Sequence, residues 1–157
     1  MPGMTAGYAK NIIRRALRAV VDPDPTPSEV AELWDFFGSA CAYCERPLKR
    51  GAREGHVDHL DPATAGGTNH ISNRVLSCAS CNGDEKRESP WLDFLRIKVK
   101  DRTLFDSRCQ RIEAWVSRHT TARPGRFDSE LLKRETERAV VAFDEALARL
   151  RRARNET

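Results

Sequence analysis

Four of the five cysteines occur in two C-x-x-C pairs, Cys41 with Cys44 and Cys78 with Cys81. Two residues between thiolates allow both to reach one tetrahedral ion from a tight turn, so two such pairs indicate a structural zinc site. Disulfides are the alternative, but they fit a reducing compartment poorly. Because four thiolates leave no open coordination position, we expect the zinc to stabilise the fold without taking part in catalysis.

A second set of polar residues lies beside these cysteines. Asp58 and His59 are adjacent, Asn73 follows them, and Asn82 comes directly after Cys81. A neutral imidazole accepts protons near neutral pH, which suits a general base. Carboxylate and amide oxygens are the ligands that a hard divalent cation prefers. The competing interpretation is that these polar residues only decorate a small zinc-stabilised fold.

Length and composition predict one globular domain. The chain has 157 residues, of which 39% are hydrophobic and 32% charged, as in soluble proteins with a modest core. It has no apolar run near the ~20 residues that cross a bilayer and no signal-peptide pattern, so we expect a cytoplasmic protein without membrane contact. Within a single domain (1–157), we expect N-terminal helices (1–37), a catalytic core (38–95) and a helical C-terminal extension (96–157).

The hydrophobic spacing predicts which elements position the polar residues. It indicates helices over 5–21, 26–38 and from Ser89, another through Leu104 to His119, and a last one from about Phe127 to Arg154. Short strands are expected at 55–62 and 74–77, with a helical turn after the second cysteine pair. The fold class is therefore α+β and mostly helical, with a small zinc-stabilised finger between N-terminal and C-terminal helices.

The central stretch resembles the HNH endonucleases, in the subgroup with a four-cysteine zinc, whose catalytic unit is a ββα-metal finger. The resemblance covers roughly Cys41 to Trp91, about a third of the chain. This family often has a lysine three residues after the final asparagine, whereas Lys86 comes four after Asn82. The matching features are Asp58-His59, Pro62, Gly66-Gly67, Asn73, and Cys78-x-x-Cys81-Asn82 with Lys86 after it.

The resemblance implies a role for each matching residue. His59 is expected to be the general base, and Asn73 to constrain the loop and orient His59. Asp58 and Asn82 are expected to hold one catalytic Mg²⁺ or Mn²⁺, while the four cysteines hold the structural Zn²⁺. Since Asn82 follows Cys81 directly, fixing that cysteine on zinc also fixes the backbone of the asparagine. Adjacent residues in a regular strand point to opposite faces, so β-structure must end or bulge at Asp58-His59 for both to serve one phosphate.

DNA is the expected partner, and basic residues are the expected contacts with its backbone. Lys and Arg outnumber acids between 96 and 126, and Lys86 and Arg87 follow the motif directly. A solvated helix face is the alternative for such a charge run. The last helix carries one apolar stripe (Leu132, Val140, Phe143, Leu147 and Leu150), which suits either packing on the domain or pairing with a second copy in a homodimer.

The sequence therefore favours a metal-dependent HNH endonuclease that hydrolyses DNA phosphodiesters. A zinc-stabilised DNA-binding module without catalysis is the alternative, and Asp58, His59 and Asn82 together argue against it. A nuclease toxin domain is a third class, which we consider less favoured because no delivery segment precedes the motif.

Overall fold

The computed structural model describes residues 5–120 and 128–155, and it has the predicted α+β, mostly helical architecture. The chain order is α1 (Ala6–Val21), α2 (Pro27–Phe36), β1 (Gly55–His59), β2 (Arg74–Cys78), a π-helix (Ser80–Lys86), α3 (Trp91–Lys98), α4 (Arg102–His119) and α5 (Ser129–Asn155). Single 3₁₀ turns at Ala63–Ala65 and Ile71–Asn73 lie in the loop between the strands.

The predicted start of α2 is confirmed in detail. Thr26 accepts a hydrogen bond from the backbone N–H of Glu29, and the Glu29 carboxylate accepts one from the backbone N–H of Thr26, which is a capping box. Pro27 occupies the first helical position. The chain leaves the helix at Gly38, whose φ of 58° suits glycine. This ending places Cys41 just beyond the helix.

The two strands form an antiparallel hairpin that the π-helix follows, so the predicted strand–loop–strand–helix order is confirmed. In the register, His59 lies opposite Arg74 and Gly55 lies opposite Cys78. The loop end of the hairpin therefore carries the Asp58-His59 pair, and the opposite, open end carries the zinc-ligand cysteine Cys78. One short sheet thus joins the two chemically distinct parts of the finger.

The described residues divide into two compact units, and α2, the finger, α3 and α4 form the larger one. Its core is centred on Leu33, Phe37, Leu95, Ile112 and Trp115, each with no exposed surface. The Trp115 indole N–H donates to the backbone oxygen of Ile71 at 3.1 Å, which ties α4 to the loop before β2. Trp115 is therefore a core residue, as are the mostly buried Trp34 and the half-buried Trp91.

Helices α1 and α5 form the second unit and pack along each other. Lys10 and Asp144 form an ion pair of 2.7 Å between them. The predicted stripe of α5 is half-buried at Leu132, Val140, Phe143 and Leu147, whereas Leu150 is exposed. Packing on α1 accounts for much of the stripe. The single-domain organisation with boundaries near 37 and 95 stays a prediction, as does the homodimer.

Two predictions fall outside the described residues, namely the start of the last helix at Phe127 and the basic residues Arg123 and Arg126. Among the residues that the structure does describe, none of the helices combines the length and apolar character that spanning a membrane requires.

Candidate active site and zinc centre

The first cysteine pair lies in a tight turn held by backbone hydrogen bonds. The Cys41 N–H donates to the Arg46 oxygen at 2.9 Å, and the Glu45 N–H donates back to the Cys41 oxygen at 2.8 Å. Glu45 adopts a φ of 60°, which lets the chain reverse direction directly after Cys44. This turn brings both thiols of the pair to one side.

The second pair spans the junction between β2 and the π-helix. Cys78 is the last residue of β2, Cys81 lies in the π-helix, and the Cys81 N–H points at the Cys78 sulfur at 3.5 Å. The four Sγ atoms all lie within 4.8 Å of one another. Within the described ranges, this is the one group of three or more potential metal-ligating Cys, His, Asp or Glu side chains clustered so closely.

The cysteine cluster fits zinc. A tetrahedral site with Zn–S bonds of about 2.3 Å places its sulfurs about 3.8 Å apart, and the Cys44 and Cys78 sulfurs are 3.8 Å apart. A hydrogen bond from Cys81 lowers the pKa of Cys41 to about 4, so this cluster already favours a thiolate. The predicted four-cysteine zinc site is confirmed as a cluster, and it belongs to the closed, structural kind.

Asp58 lies near the end of β1, with only 6% of its surface exposed. Its Oδ2 accepts a hydrogen bond from the Tyr43 hydroxyl at 3.0 Å and lies 3.4 Å from the Lys86 ammonium. Burial raises the pKa of Asp58, while the Lys86 charge and the Tyr43 hydrogen bond oppose that rise. Both contacts use Oδ2, and the residue also lines the adjoining pocket.

His59 is the last residue of β1, and both of its ring nitrogens have partners. Nε2 lies 3.0 Å from Asn69 Oδ1, and Nδ1 lies 3.1 Å from a guanidinium nitrogen of Arg74. Because arginine can only donate, Nδ1 accepts, and the ring proton is on Nε2, where it is donated to Asn69. These two contacts orient the His59 ring, and in this arrangement Nδ1 is the accepting nitrogen.

Asn73 constrains the loop between the strands. Its side-chain oxygen accepts from the backbone N–H of Asp61 at 3.0 Å, and its amide nitrogen donates to the backbone oxygens of Asp61 and Thr68, at 3.0 and 2.9 Å. These contacts fix the chain two residues beyond His59. The side chain thus lies where a loop-constraining role requires it, and these hydrogen bonds are with the loop backbone and not with the imidazole.

The two glycines of this loop are required for different reasons. Gly66 has a φ of 83°, a backbone conformation that residues other than glycine rarely adopt. A Cβ on Gly67 would lie 1.9 Å from the Asp61 carbonyl oxygen and 2.9 Å from the Asn73 amide nitrogen. The close approach at Gly67 therefore permits the hydrogen bonds that Asn73 makes.

Asp58, His59 and Asn82 line one pocket of about 490 Å³. Strand β1 ends at His59, so the alternation of a regular strand no longer separates the two side chains. Asn82 reaches the same pocket from the π-helix, directly after the zinc-ligand Cys81. One carboxylate and one amide oxygen suit a hard divalent cation that also binds water and phosphate. Pro62, Ala63, Thr64, Gly83, Arg87 and Glu88 complete the lining.

The predicted DNA contacts Lys86 and Arg87 have different environments. Lys86 is 1% exposed, and its ammonium donates to the His59 backbone oxygen at 2.6 Å, so it is directed into the protein and not towards a nucleic acid. This arrangement argues against the predicted phosphate contact for Lys86. Arg87 is exposed and lines the pocket, which is compatible with contact to a phosphate backbone.

The predicted basic segment is only partly available for a partner. Arg108 donates to the Tyr43 backbone oxygen at 2.7 Å, and Arg111 donates to the Phe36 backbone oxygen at 3.0 Å. These arginines hold α4 against the finger and α2. Other basic residues of the segment include Arg96, Lys100 and Arg102. Together with Val99 and Phe105, they line a second cavity of about 330 Å³.

Sequence reasoning missed three residues of the site: Tyr43, Asn69 and Arg74. Tyr43 lies between Cys41 and Cys44, so the first zinc turn itself carries the hydroxyl that binds Asp58. Its position inside the C-x-x-C pair was an available signal. Arg74 contacts His59 because the two residues pair across the sheet, and no feature of the sequence sets that register.

A comparison with protein-family models matches residues 41–88 to the HNH endonuclease family. The matched segment begins at the first zinc-ligand cysteine and includes both strands and the π-helix. No curated protein matches the chain.

Proposed function

We propose that this chain, which contains an HNH endonuclease domain at residues 41–88, is a metal-dependent endonuclease that hydrolyses phosphodiester bonds in DNA. The observation that carries the proposal is the convergence of Asp58, His59 and Asn82 on one pocket beside a closed four-cysteine cluster. A module that only binds DNA has no need of a tautomerically fixed imidazole and two oxygen ligands at one place.

His59 is the general base. Its Nδ1 carries the lone pair, so it is the atom that takes a proton from the attacking water. Arg74 occupies that lone pair and has to withdraw before the proton can transfer. The Nε2–H donated to Asn69 keeps the ring in the required tautomer. The water oxygen bonds to phosphorus as the bond to the 3′ oxygen breaks, and the 3′ oxygen leaves with a proton from solvent.

Asp58 and Asn82 hold the catalytic cation, for which Mg²⁺ or Mn²⁺ suits the oxygen ligands. When bound, this ion supplies electrophilic stabilisation of the charge on the phosphate and the leaving oxygen. The zinc held by Cys41, Cys44, Cys78 and Cys81 serves as scaffold. Asn73 shapes the loop that follows His59.

The DNA backbone lies across the open side of the pocket, and exposed basic residues hold it. Arg87 is the candidate within the pocket, and Arg96, Lys100 and Arg102 are candidates on the surface between α3 and α4. The exposed arginines at the end of α5, which are Arg149, Arg151, Arg152 and Arg154, are further candidates. A cytoplasmic location and a homodimer through α5 belong to the same proposal.

The test is cleavage of supercoiled plasmid by zinc-loaded protein with EDTA, Mg²⁺ or Mn²⁺. Wild type is expected to nick or linearise the plasmid only with added Mg²⁺ or Mn²⁺. Removing a general base typically costs ~10²- to 10⁴-fold in rate, so His59→Ala should lose activity by that factor. His56→Ala is the matched control, since His56 lies on the same strand and is absent from the pocket lining. Zinc content and circular dichroism verify that each variant is folded.

Two results would contradict the proposal. If His59→Ala cuts as fast as wild type, His59 is not the base. If wild type shifts DNA in a gel with or without Mg²⁺ and cuts none of the DNA offered, the chain is the zinc-stabilised binding module instead.

A further inference from the structure

Lys86 is the most deeply buried charged residue of the finger, with 1% of its surface exposed. A lysine is almost never buried to this degree unless its charge is paired. The ammonium of Lys86 has two partners that belong to consecutive residues of β1. It donates to the His59 backbone oxygen at 2.6 Å and lies 3.4 Å from Asp58 Oδ2.

These two contacts act on the part of the chain where a regular strand would misplace its side chains. Asp58 and His59 have to face one pocket although they are neighbours in sequence, and β1 ends between them and the loop. One bond from Lys86 fixes the backbone at His59, and the other fixes the rotation of the Asp58 carboxylate. The Tyr43 hydroxyl, in the turn of the first cysteine pair, donates a hydrogen bond to the same carboxylate oxygen.

Lys86 is the last residue of the π-helix that follows the second cysteine pair. A π turn closes its hydrogen bonds over five residues where an α turn uses four, so it accommodates about one more residue per turn. Asn82 and Lys86 are four residues apart within it, and both are directed towards Asp58-His59. An α-helix would likewise place a residue four positions after Asn82 on the same face, so it is the contacts of Lys86 with Asp58 and the His59 carbonyl that assign its role.

We propose that Lys86 is a positioning residue for the catalytic pair, which its ammonium holds through Asp58 and the His59 carbonyl. This inference rests on the proposed function, because it assigns Lys86 to the same site. Lys86 touches neither the substrate nor the reacting atoms. It acts through the two residues that do.

If Lys86 has a purely structural role and only fills the core, Lys86→Met should behave differently from what a positioning role predicts. Replacing a buried ion pair with a hydrophobic side chain of similar length is often neutral or stabilising. If the lysine were merely structural, Lys86→Met would therefore retain zinc, stability and every property of the pocket. A positioning role predicts a folded protein with a disorganised pocket.

The experiment measures Mn²⁺ binding to the zinc-loaded protein without DNA, by electron paramagnetic resonance of free Mn²⁺, so its readout is independent of turnover. Loss of a group that orients a metal ligand typically weakens binding ~10- to 100-fold, and we expect a Kd at least about tenfold higher for Lys86→Met. Lys98→Met is the matched control. It also removes an ammonium paired with a carboxylate, that of Glu85, yet Lys98 is absent from the pocket lining. Its Mn²⁺ affinity should stay at the wild-type value.

A second variant moves the ammonium without deleting it. One alanine inserted between Asp84 and Glu85 turns Lys86 away from the strand, and it should weaken Mn²⁺ binding as much as Lys86→Met does. Mn²⁺ binding in either variant that equals or exceeds wild type, with zinc retained, would overturn the inference. So would a wild-type protein that binds no Mn²⁺.

The plasmid assay keeps the two proposals apart. Suppose that Mn²⁺ binds to wild type but not to Lys86→Met, and that wild type cuts no DNA. The positioning role then stands and the endonuclease proposal falls. If His59→Ala abolishes cutting while Lys86→Met binds Mn²⁺ and cuts like wild type, the endonuclease proposal stands and the positioning role falls.

Discussion

The two compact units of this chain are stabilised in different ways. Every fully buried hydrophobic residue of the described chain lies between Leu33 and Trp115, in the unit that contains the finger. The α1–α5 pair has only half-buried apolar side chains along its contact, and it leaves Tyr8 and Val20 exposed. Catalytic residues must be held to within fractions of an ångström, and the residues proposed for that role lie in the unit with a core and the four-cysteine cluster.

Removing the zinc should produce the largest effect and should be confined to the finger unit. Structural zinc contributes ~10–16 kcal/mol of binding free energy in zinc-finger peptides, and here it joins the first turn, β2 and the π-helix. We expect Cys81→Ser to abolish zinc retention and hydrogen-exchange protection in β1 and β2, while protection in α1 and α5 persists.

The control for the zinc prediction is Cys109→Ala, because Cys109 is buried in α4 outside the cluster. It should keep its zinc and the protection of both strands. Protection in β1 and β2 that survives zinc loss would mean that the hydrophobic core alone holds the finger, and the contrast between the two units would then rest on packing.

Core packing in the finger unit gives the second largest effect. Trp115 is fully buried against Phe36 and Phe37, at centroid distances of 5.0 and 6.0 Å, and also donates a hydrogen bond. Truncating a buried tryptophan costs ~3–5 kcal/mol, which is the expected loss for Trp115→Ala in urea unfolding. Leu131→Ala on α5, where 46% of the side chain is exposed, should change stability by less than ~0.5 kcal/mol. Similar losses in the two variants would remove the distinction between the units.

The ion pair in the helix pair should have the smallest effect. Lys10 and Asp144 are 2.7 Å apart, but their side chains remain 26% and 49% exposed. Partly exposed pairs of this kind contribute ~0–1 kcal/mol. A double-mutant cycle with Lys10→Ala and Asp144→Ala should give a coupling free energy in that range that decreases with added salt. A coupling well above 1 kcal/mol would show that electrostatics supply what the helix pair lacks in buried apolar surface.

Patterns that depend on local chemistry could be predicted from the sequence. Cysteine spacing predicted the zinc cluster, the Thr26–Glu29 capping box predicted the start of α2, and short apolar segments next to turn residues predicted both strands. Each of these features depends on residues close together in the chain, so the local sequence is enough to predict it.

Features that depend on the register of distant segments could not be predicted in the same way. The Arg74–His59 contact requires one specific pairing of the strands, since a shift by one residue reverses every side chain. The burial of Lys86 likewise depends on how the helical segment after Cys81 packs against β1, a contact between residues far apart in the chain.

The π-helix also bears on how the spacing between Asn82 and Lys86 can change by one codon. A spacing of three residues on an α turn and four residues on a π turn both return the lysine to nearly the same direction, and the two differ by a single codon. Deletion of one codon between Asn82 and Lys86 is thus a change that the finger can absorb by switching from a π turn to an α turn. A search pattern for related fingers should therefore allow the lysine either three or four residues after the asparagine.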